Sequence, residues 1–398
     1  MGRIPKVLPC ILFIYAQKTP QATKNSILSS FTKLSSYKGI KKKAMVRSEA
    51  LLLLSLLALS LSGTSTAAPK ETVGIYELKK GDFSLKITNW GATILSVIFP
   101  DSKGNLADVV LGYEGIRPYI NGTTYFGALV GRVGGRISGS RFVLNGTAYR
   151  LYPNDGTSSI HGGHRGFSFV IWTVEEKVDG EFPYIKLYYH SFDKEQGFPG
   201  DLDVYVTYKI TAAYELSITM EATARTKATP VNLLQHSYWN LGGHNSGTIL
   251  SNTVQIFASR ITPLDDHFLP TGAFASVSGT PFDFRIPMTV ESRFGEVKGG
   301  YNLNYVVDGH GMRKAAAVKD GRSGRAMELW ANQPALTFFT ANSLENVEGK
   351  GGVVYGKYAG LCLETMGYPD AVNRPEFPSV IVNPGEVYRH EMLFKFSF

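Results

Sequence analysis

DVYVTYKI, residues 203–210, and ELSITMEAT, residues 215–223, place an apolar residue at every second position. A period of two is the mark of a strand with one buried face; a helix would repeat every 3.6 residues. Similar short apolar runs recur as FSLKITNW (83–90), ATILSVIF (92–99) and VVYGKYAGLCLE (353–364). Between them stand the turn signals DSKGN (101–105), LNGT (144–147) and NDGT (154–157), which suit antiparallel hairpins. The chain offers no long amphipathic helix with caps and no internal repeat. The expected fold class is all-β, a large antiparallel β-sandwich. The length exceeds one immunoglobulin-sized sandwich, so either the sheets are many-stranded or there are two sandwiches. No linker-like shift of composition favours two.

The net charge of +8 does not belong to this β-rich body. Residues 1–68 hold ten of the 41 Lys and Arg and one of the 33 acids, Glu49, leaving 31 basic and 32 acidic residues in the rest. A nucleic-acid or anionic-membrane partner is therefore not expected for the body. From Met45 the chain reads as a short basic start, the apolar run ALLLLSLLALSL and the small-residue exit SGTSTAAP. That is the layout of a secretory signal over 45–67, with cleavage after Ala67. The run is shorter than the roughly 20 residues of a spanning helix, so no membrane anchor is expected. Residues 1–44 are basic and Ser-rich, which fits either a mispredicted extension or an organelle transit segment. The body is then 68–398, and the expected location is extracellular, with an organelle as the alternative. Asn121-Gly122-Thr123 and Asn145-Gly146-Thr147 are possible glycan acceptors. The body has one cysteine, Cys362, and hence no intrachain disulfide.

Four stretches put polar groups inside strand-like sequence, where an unpaired buried polar group costs about 1–3 kcal/mol. In TPVNLLQHSYWNLGG (229–243), an extended Val231–Asn240 would put Asn232, His236, Tyr238 and Asn240 on one face. His236 is then either a proton donor or a core histidine satisfied by local hydrogen bonds. In YAGLCLETMGYPDAVNRPEFPS (358–379), Glu364 closes an apolar run. It is either a general base of raised pKa or a carboxylate paired with Arg132 or Arg136. YFGALVGRVGGRI (125–137) supplies those arginines, of which sequence does not say which faces a pocket. Its glycines are followed by no Gly-Lys-Ser/Thr, so no nucleotide site is expected. In SSIHGGHRGF (158–167), His161 and His164 lack a nearby third ligand. A sugar-hydroxyl contact for His161 and a surface position for His164 are the simpler readings. Aromatic residues make up 12% of the chain, a composition that suits both a β core and sugar stacking.

Taken together and in order, these motifs resemble the aldose 1-epimerase family. The similarity runs from TNWGATILSV (88–97) to NPGEVYRHEMLFKFS (383–397). It includes ITPLDDHFLPTG (261–272), GTPFDFR (279–285) and NQPALTFFTAN (332–342). The resemblance implies a galactose mutarotase-like supersandwich with an open concave site, acting on a free aldohexose, with no metal and no organic cofactor. It implies interconversion of α and β anomers by ring opening and closure. It places the acid on His236, the base on Glu364, and substrate contacts on Arg136, His161, Asn302 and Gln333. A monomer is expected.

The chain departs from the family pattern at three positions. Gly135 stands where an Asn is frequent, Asn302 where an Asp is frequent, and Met366 where a polar residue is frequent. These changes leave room for two other classes: a non-catalytic sugar-binding protein, or an epimerase for phosphorylated hexoses using Arg165.

Overall fold

Burial follows the alternation. In the strand Glu215–Ala224, Leu216, Ile218, Met220, Ala222 and Ala224 are buried and the residues between them are half-buried. The strand Leu202–Ala212 pairs with it antiparallel and repeats the pattern. The computed structural model describes residues 72–398. The leader expected at 45–67 and the stretch 1–44 lie outside the described residues.

Three antiparallel sheets dominate. The largest has nine strands in the order Thr173–Val178, Tyr184–Ser191, Leu202–Ala212, Glu215–Ala224, Val387–Ser397, Ala326–Ala331, Arg313–Lys319, Thr253–Ile256 and Met288–Thr289. The strand Val387–Ser397 thus lies in the middle, joining two runs of strands distant in sequence. A five-stranded sheet runs Ala275–Ser276, Ala258–Thr262, Asn302–Val307, Ala335–Phe339 and Cys362–Met366. A four-stranded sheet is formed by Ile75–Lys80, Phe83–Thr88, Thr93–Pro100 and Leu106–Asp108. Among the described residues α-helix is limited to Arg117–Asn121. No helix there is long and apolar enough to cross a membrane.

One hydrophobic core connects all three sheets. Ile218, Leu329 and Phe394 come from the nine-stranded sheet, Phe83 and Phe99 from the four-stranded one, and Leu336, Phe338 and Leu363 from the five-stranded one. Phe396 packs on Phe83 and Phe99, and Trp239 on Phe394 and Phe396. Each such side chain contributes roughly 1.5–3 kcal/mol through burial. The continuity of this core resolves the sandwich question in favour of many-stranded sheets over a shared interior.

The turn signals act as read. Asn145 and Gly146, at φ of 50° and 76°, form the two-residue hairpin loop between Arg141–Leu144 and Thr147–Arg150. Both positions need positive φ, and Asn-Gly supplies them at little cost.

Candidate active site

The strand Cys362–Met366 is buried on both faces. Leu363 and Thr365 point to the core, where Leu363 packs and Thr365 meets His390 of the nine-stranded sheet. Glu364 and Met366 point the other way, into a cleft of about 1420 Å³. Strand pairing carries that face across the five-stranded sheet. Glu364 is opposite Thr337, Thr337 opposite Asn304, and Asn304 opposite Thr262. All four line the cleft, so the register itself builds a polar row on its floor. Within it the Thr337 hydroxyl donates to Asn304 Oδ1 at 2.5 Å.

The opposite wall is an irregular segment, and here one expectation is corrected. Residues 231–240 do not form one strand: Leu234–Gln235 make a two-residue strand with Leu129–Val130, and Asn232 and Trp239 make isolated bridges to other segments. His236 and Tyr238 reach the cleft. Asn232 and Asn240 instead bind backbone. Asn232 exchanges two hydrogen bonds with Gly367, at 3.0 and 2.8 Å. Asn240 donates to Ala359 O and Gly247 O. Trp239 and Leu361 exchange backbone bonds at 2.7 and 2.9 Å. The segment carrying His236 is thereby tied to both ends of the strand carrying Glu364. No single ladder runs along the segment because its backbone changes partner: Asn232 N–H donates to Arg132 O, His236 N–H to Ala128 O and Asn240 N–H to Val109 O.

The result is a close pair. His236 Nε2 lies 3.4 Å from Glu364 Oε1, with both side chains almost wholly buried. Burial pushes the Glu364 carboxyl up to about 8 and the His236 imidazole down to about 4. The His236 ring is stacked between Tyr238, at 5.1 Å and 17°, and Tyr125, at 5.9 Å and 19°. Its Nδ1 faces the Cys362 sulfur at 3.8 Å. Neither arginine pairs with Glu364. Arg132 is buried, and its guanidinium donates to Pro199 O, Gly200 O and Ser191 Oγ. Arg136 is the one that faces the cleft, where it pairs with Asp155 at 2.6 Å.

His161 is buried at φ 54° and sits edge-on to His236 at 5.3 Å. The Gly135 N–H donates to its Nδ1 at 3.3 Å. That donor leaves the ring proton on Nε2, so His161 offers a neutral N–H. Its pKa is held well below the usual value by burial, then by His236 and Arg136. His164 is exposed at the cleft mouth and does not join His161 in a ligand pair.

Asn302 lines the cleft one row from Glu364, paired with Phe339. Gln333 does not line it. It precedes the strand Ala335–Phe339, where the chain turns toward the nine-stranded sheet. Its amide donates to Asn332 Oδ1 and Arg389 O. Within the same motif Thr337 takes the place in the cleft. Sequence reasoning missed Thr337 and Asn304. Alternation back from Phe339 points to Thr337, whereas Asn304 emerges only from the cross-strand register. Tyr125 depends on a loop residue at φ 58°.

Gly135 explains part of the cleft's shape. A Cβ there would lie 3.2 Å from both Met366 Cε and Pro369 Cβ, at a φ of +73°. Met366 therefore fills the space that a side chain at 135 would need.

Among the described residues His236, Cys362 and Glu364 form a group of three possible metal donors. Burial, with Glu364 adding to it, raises the Cys362 thiol well above its usual value, which disfavours the thiolate that a metal would need.

A sequence model of the aldose 1-epimerase family matches residues 74–395. The chain is 40% identical to a galactose mutarotase of Mus musculus over 329 residues, covering 82% of this chain and 94% of that one. It is 33% identical to an aldose 1-epimerase of Escherichia coli (strain K12), covering 76% and 88%. A crystal structure of an aldose epimerase homologue from C. elegans superposes with a TM-score of 0.77 at 27% identity, over 82% of this chain and 99% of that chain.

Proposed function

The chain belongs to the aldose 1-epimerase family and is an isomerase acting as an aldose epimerase, and we propose that it interconverts the α and β anomers of free galactose and glucose, with Glu364 as general base and His236 as general acid. The observation that carries the assignment of roles is the 3.4 Å approach of His236 Nε2 to Glu364 Oε1 at the floor of the cleft.

Glu364 takes the proton of the anomeric hydroxyl while His236 gives one to the ring oxygen. The bond from C1 to the ring oxygen breaks and C1 becomes an aldehyde carbonyl. Rotation about C1–C2 presents either face, and reclosure returns both protons. The pair thus carries one proton throughout, on His236 before opening and on Glu364 after it. Burial favours the neutral arrangement, carboxyl and imidazole, which is the one that accompanies the open sugar. Arg136, the Nε2–H of His161 and Asn302 contact the sugar hydroxyls, and Thr337 takes the contact read from sequence as Gln333.

The test is polarimetry on α-D-galactose and α-D-glucose. Glu364→Gln and His236→Asn should each lose most of the activity, since a positioned acid or base is worth roughly 10²–10⁴ in rate. Wild-type rates in either variant would overturn the roles. Glucose 6-phosphate belongs in the same assay, because His164 and Arg165 stand exposed at the cleft mouth. Faster turnover of the phosphate than of the free sugar would favour a phosphosugar epimerase. Sugar binding with no faster anomer exchange would favour a binding protein.

The secretory reading of 45–67 belongs to the same proposal, with glycans on Asn121 and Asn145. Both asparagines are exposed, and Asn121 stands at the rim of the cleft. Sequencing the mature N-terminus and weighing the protein before and after glycosidase treatment test this. A monomer is proposed, to be checked by sedimentation.

A further inference from the structure

We propose that His390, a buried residue outside the cleft, is a positioning residue that fixes the spacing of Glu364 and His236 by binding the backbone segments that carry them. The proposal rests on the acid–base roles given above.

His390 is fully buried on the core face of the strand Val387–Ser397, in line with Met392, Phe394 and Phe396. Its neighbours on that face are apolar packing groups, so an imidazole there needs a partner on each nitrogen. It has both. Nδ1 lies 3.1 Å from Leu233 O, and Nε2 lies 2.9 Å from Thr365 Oγ1. A carbonyl can only accept, so Nδ1 carries the proton and Nε2 accepts from the Thr365 hydroxyl. Burial keeps the ring neutral, with its pKa pushed down to about 4.

The two partners are not arbitrary. Thr365 is the residue after Glu364, pointing to the opposite face of the same strand. Leu233 stands three residues before His236, and its N–H donates to the Tyr388 hydroxyl at 3.2 Å. His390 and Tyr388 thus hold the two peptide units that flank Leu233 in the acid-bearing segment, while His390 also holds the base-bearing strand. Asn232–Gly367 and Trp239–Leu361 tie the same two segments at their ends. His390 spans them on the core side, next to the Asn232–Gly367 tie. Its own strand is central in the nine-stranded sheet, which gives the clamp a rigid base. A shift of about 1 Å in such a pair can cost on the order of 10²-fold in rate.

The experiment compares Thr365→Val, Thr365→Ser, His390→Asn and Glu364→Gln by polarimetry on α-D-galactose, at a temperature where circular dichroism shows each to be folded. Thr365→Val removes the hydroxyl at nearly constant volume. Its kcat should fall at least about tenfold with KM within about twofold, the signature of lost transition-state alignment. Thr365→Ser should recover most of that kcat. His390→Asn keeps a donor toward Leu233 but cannot reach Thr365, so it should match Thr365→Val. A folded Thr365→Val with wild-type kcat overturns the proposal, as does a loss of kcat that Ser fails to restore. If Thr365→Val does not fold, a folded His390→Asn with wild-type kcat overturns it equally. Glu364→Gln separates the two readings. If it is inactive while Thr365→Val is fully active, only the positioning role fails. If it is fully active, the acid–base reading fails.

Discussion

His236 Nε2 and Glu364 Oε1 lie 3.4 Å apart, with no arginine of the described residues on either, in a cleft floor where both side chains are about 5% exposed. At that separation the two groups feel each other's charge, and the pair is treated as one unit that titrates in two steps.

The first prediction concerns pH. The productive pair holds one proton. Burial sets the lower step near 4, through His236, and the upper step near 8, through Glu364. Below the lower step both groups are protonated and no base remains; above the upper step both are deprotonated and no acid remains. The kcat/KM profile, corrected for spontaneous mutarotation, should be flat between these limits and fall on either side. A profile centred on an ordinary histidine, with its midpoint near 6.5, would contradict the shared-proton description.

A second prediction follows from linkage. The folded pKa of Glu364 is raised from 4.5 to about 8. The stability associated with its protonated form is present below 4.5 and lost as pH rises toward 8. Glu364→Gln removes that loss, so the variant should gain stability over the wild type as pH increases, by a few kcal/mol at most. Melting temperatures at pH values on both sides of the window check the sign. A difference independent of pH would mean that Glu364 is not held protonated by burial.

Gly135→Ala should destabilise the protein by about 1–3 kcal/mol, because it forces a side chain into positive φ and against Met366 and Pro369. Combining it with Met366→Ala should recover only the steric part. Thermal unfolding of the two single variants and the double variant measures this coupling.

Thr337 and Gln333 of NQPALTFFTAN can be told apart by kinetics. Thr337→Val removes a hydroxyl from the polar row beside Glu364 and should raise KM several-fold, in line with about 0.5–1.5 kcal/mol for a hydrogen bond. Gln333→Ala should leave KM unchanged, since its amide binds Asn332 and Arg389. Equal effects would mean that Gln333 swings into the cleft.

Tyr125→Leu removes the outer ring stacked on His236 and should lower kcat/KM by about 2- to 10-fold, the equivalent of one aromatic contact. Unchanged kinetics would show that Tyr238 alone orients the imidazole.

Much of this architecture was legible in the residues, for reasons that differ from place to place. The alternation in 203–210 and 215–223 specified two strands and their buried face, since a strand exposed on one side must encode that face in its own sequence. Glu364 stood out because a carboxylate ending the run GLCL has few affordable fates. Whether Arg132 or Arg136 met the cleft was not legible: both lie among glycines, and the answer depends on distant carbonyls at Pro199 and Gly200. Gln333 was misplaced for a similar reason. Its spacing from Thr337 and Phe339 fits the cleft face, but the strand starts only at Ala335. A single strand over 231–240 does not form because the backbone there changes partner from Arg132 to Ala128 to Val109, a sequence of neighbours that the segment's own residues do not encode. Asn304 and Thr262 acquire meaning only once three strands are laid side by side.

The placement of Val387–Ser397 also bears on how the molecule reaches this state. The strands between 173 and 224 can pair through short hairpins, and those between 313 and 331 through another. Neither group finds its neighbour until a strand from far along the chain enters between Glu215–Ala224 and Ala326–Ala331. Before that insertion, two half-sheets each present an open edge rich in unpaired N–H and C=O groups. Refolding should therefore be slow and prone to association through those edges, and the cleft should gain its working geometry in this late, long-range step.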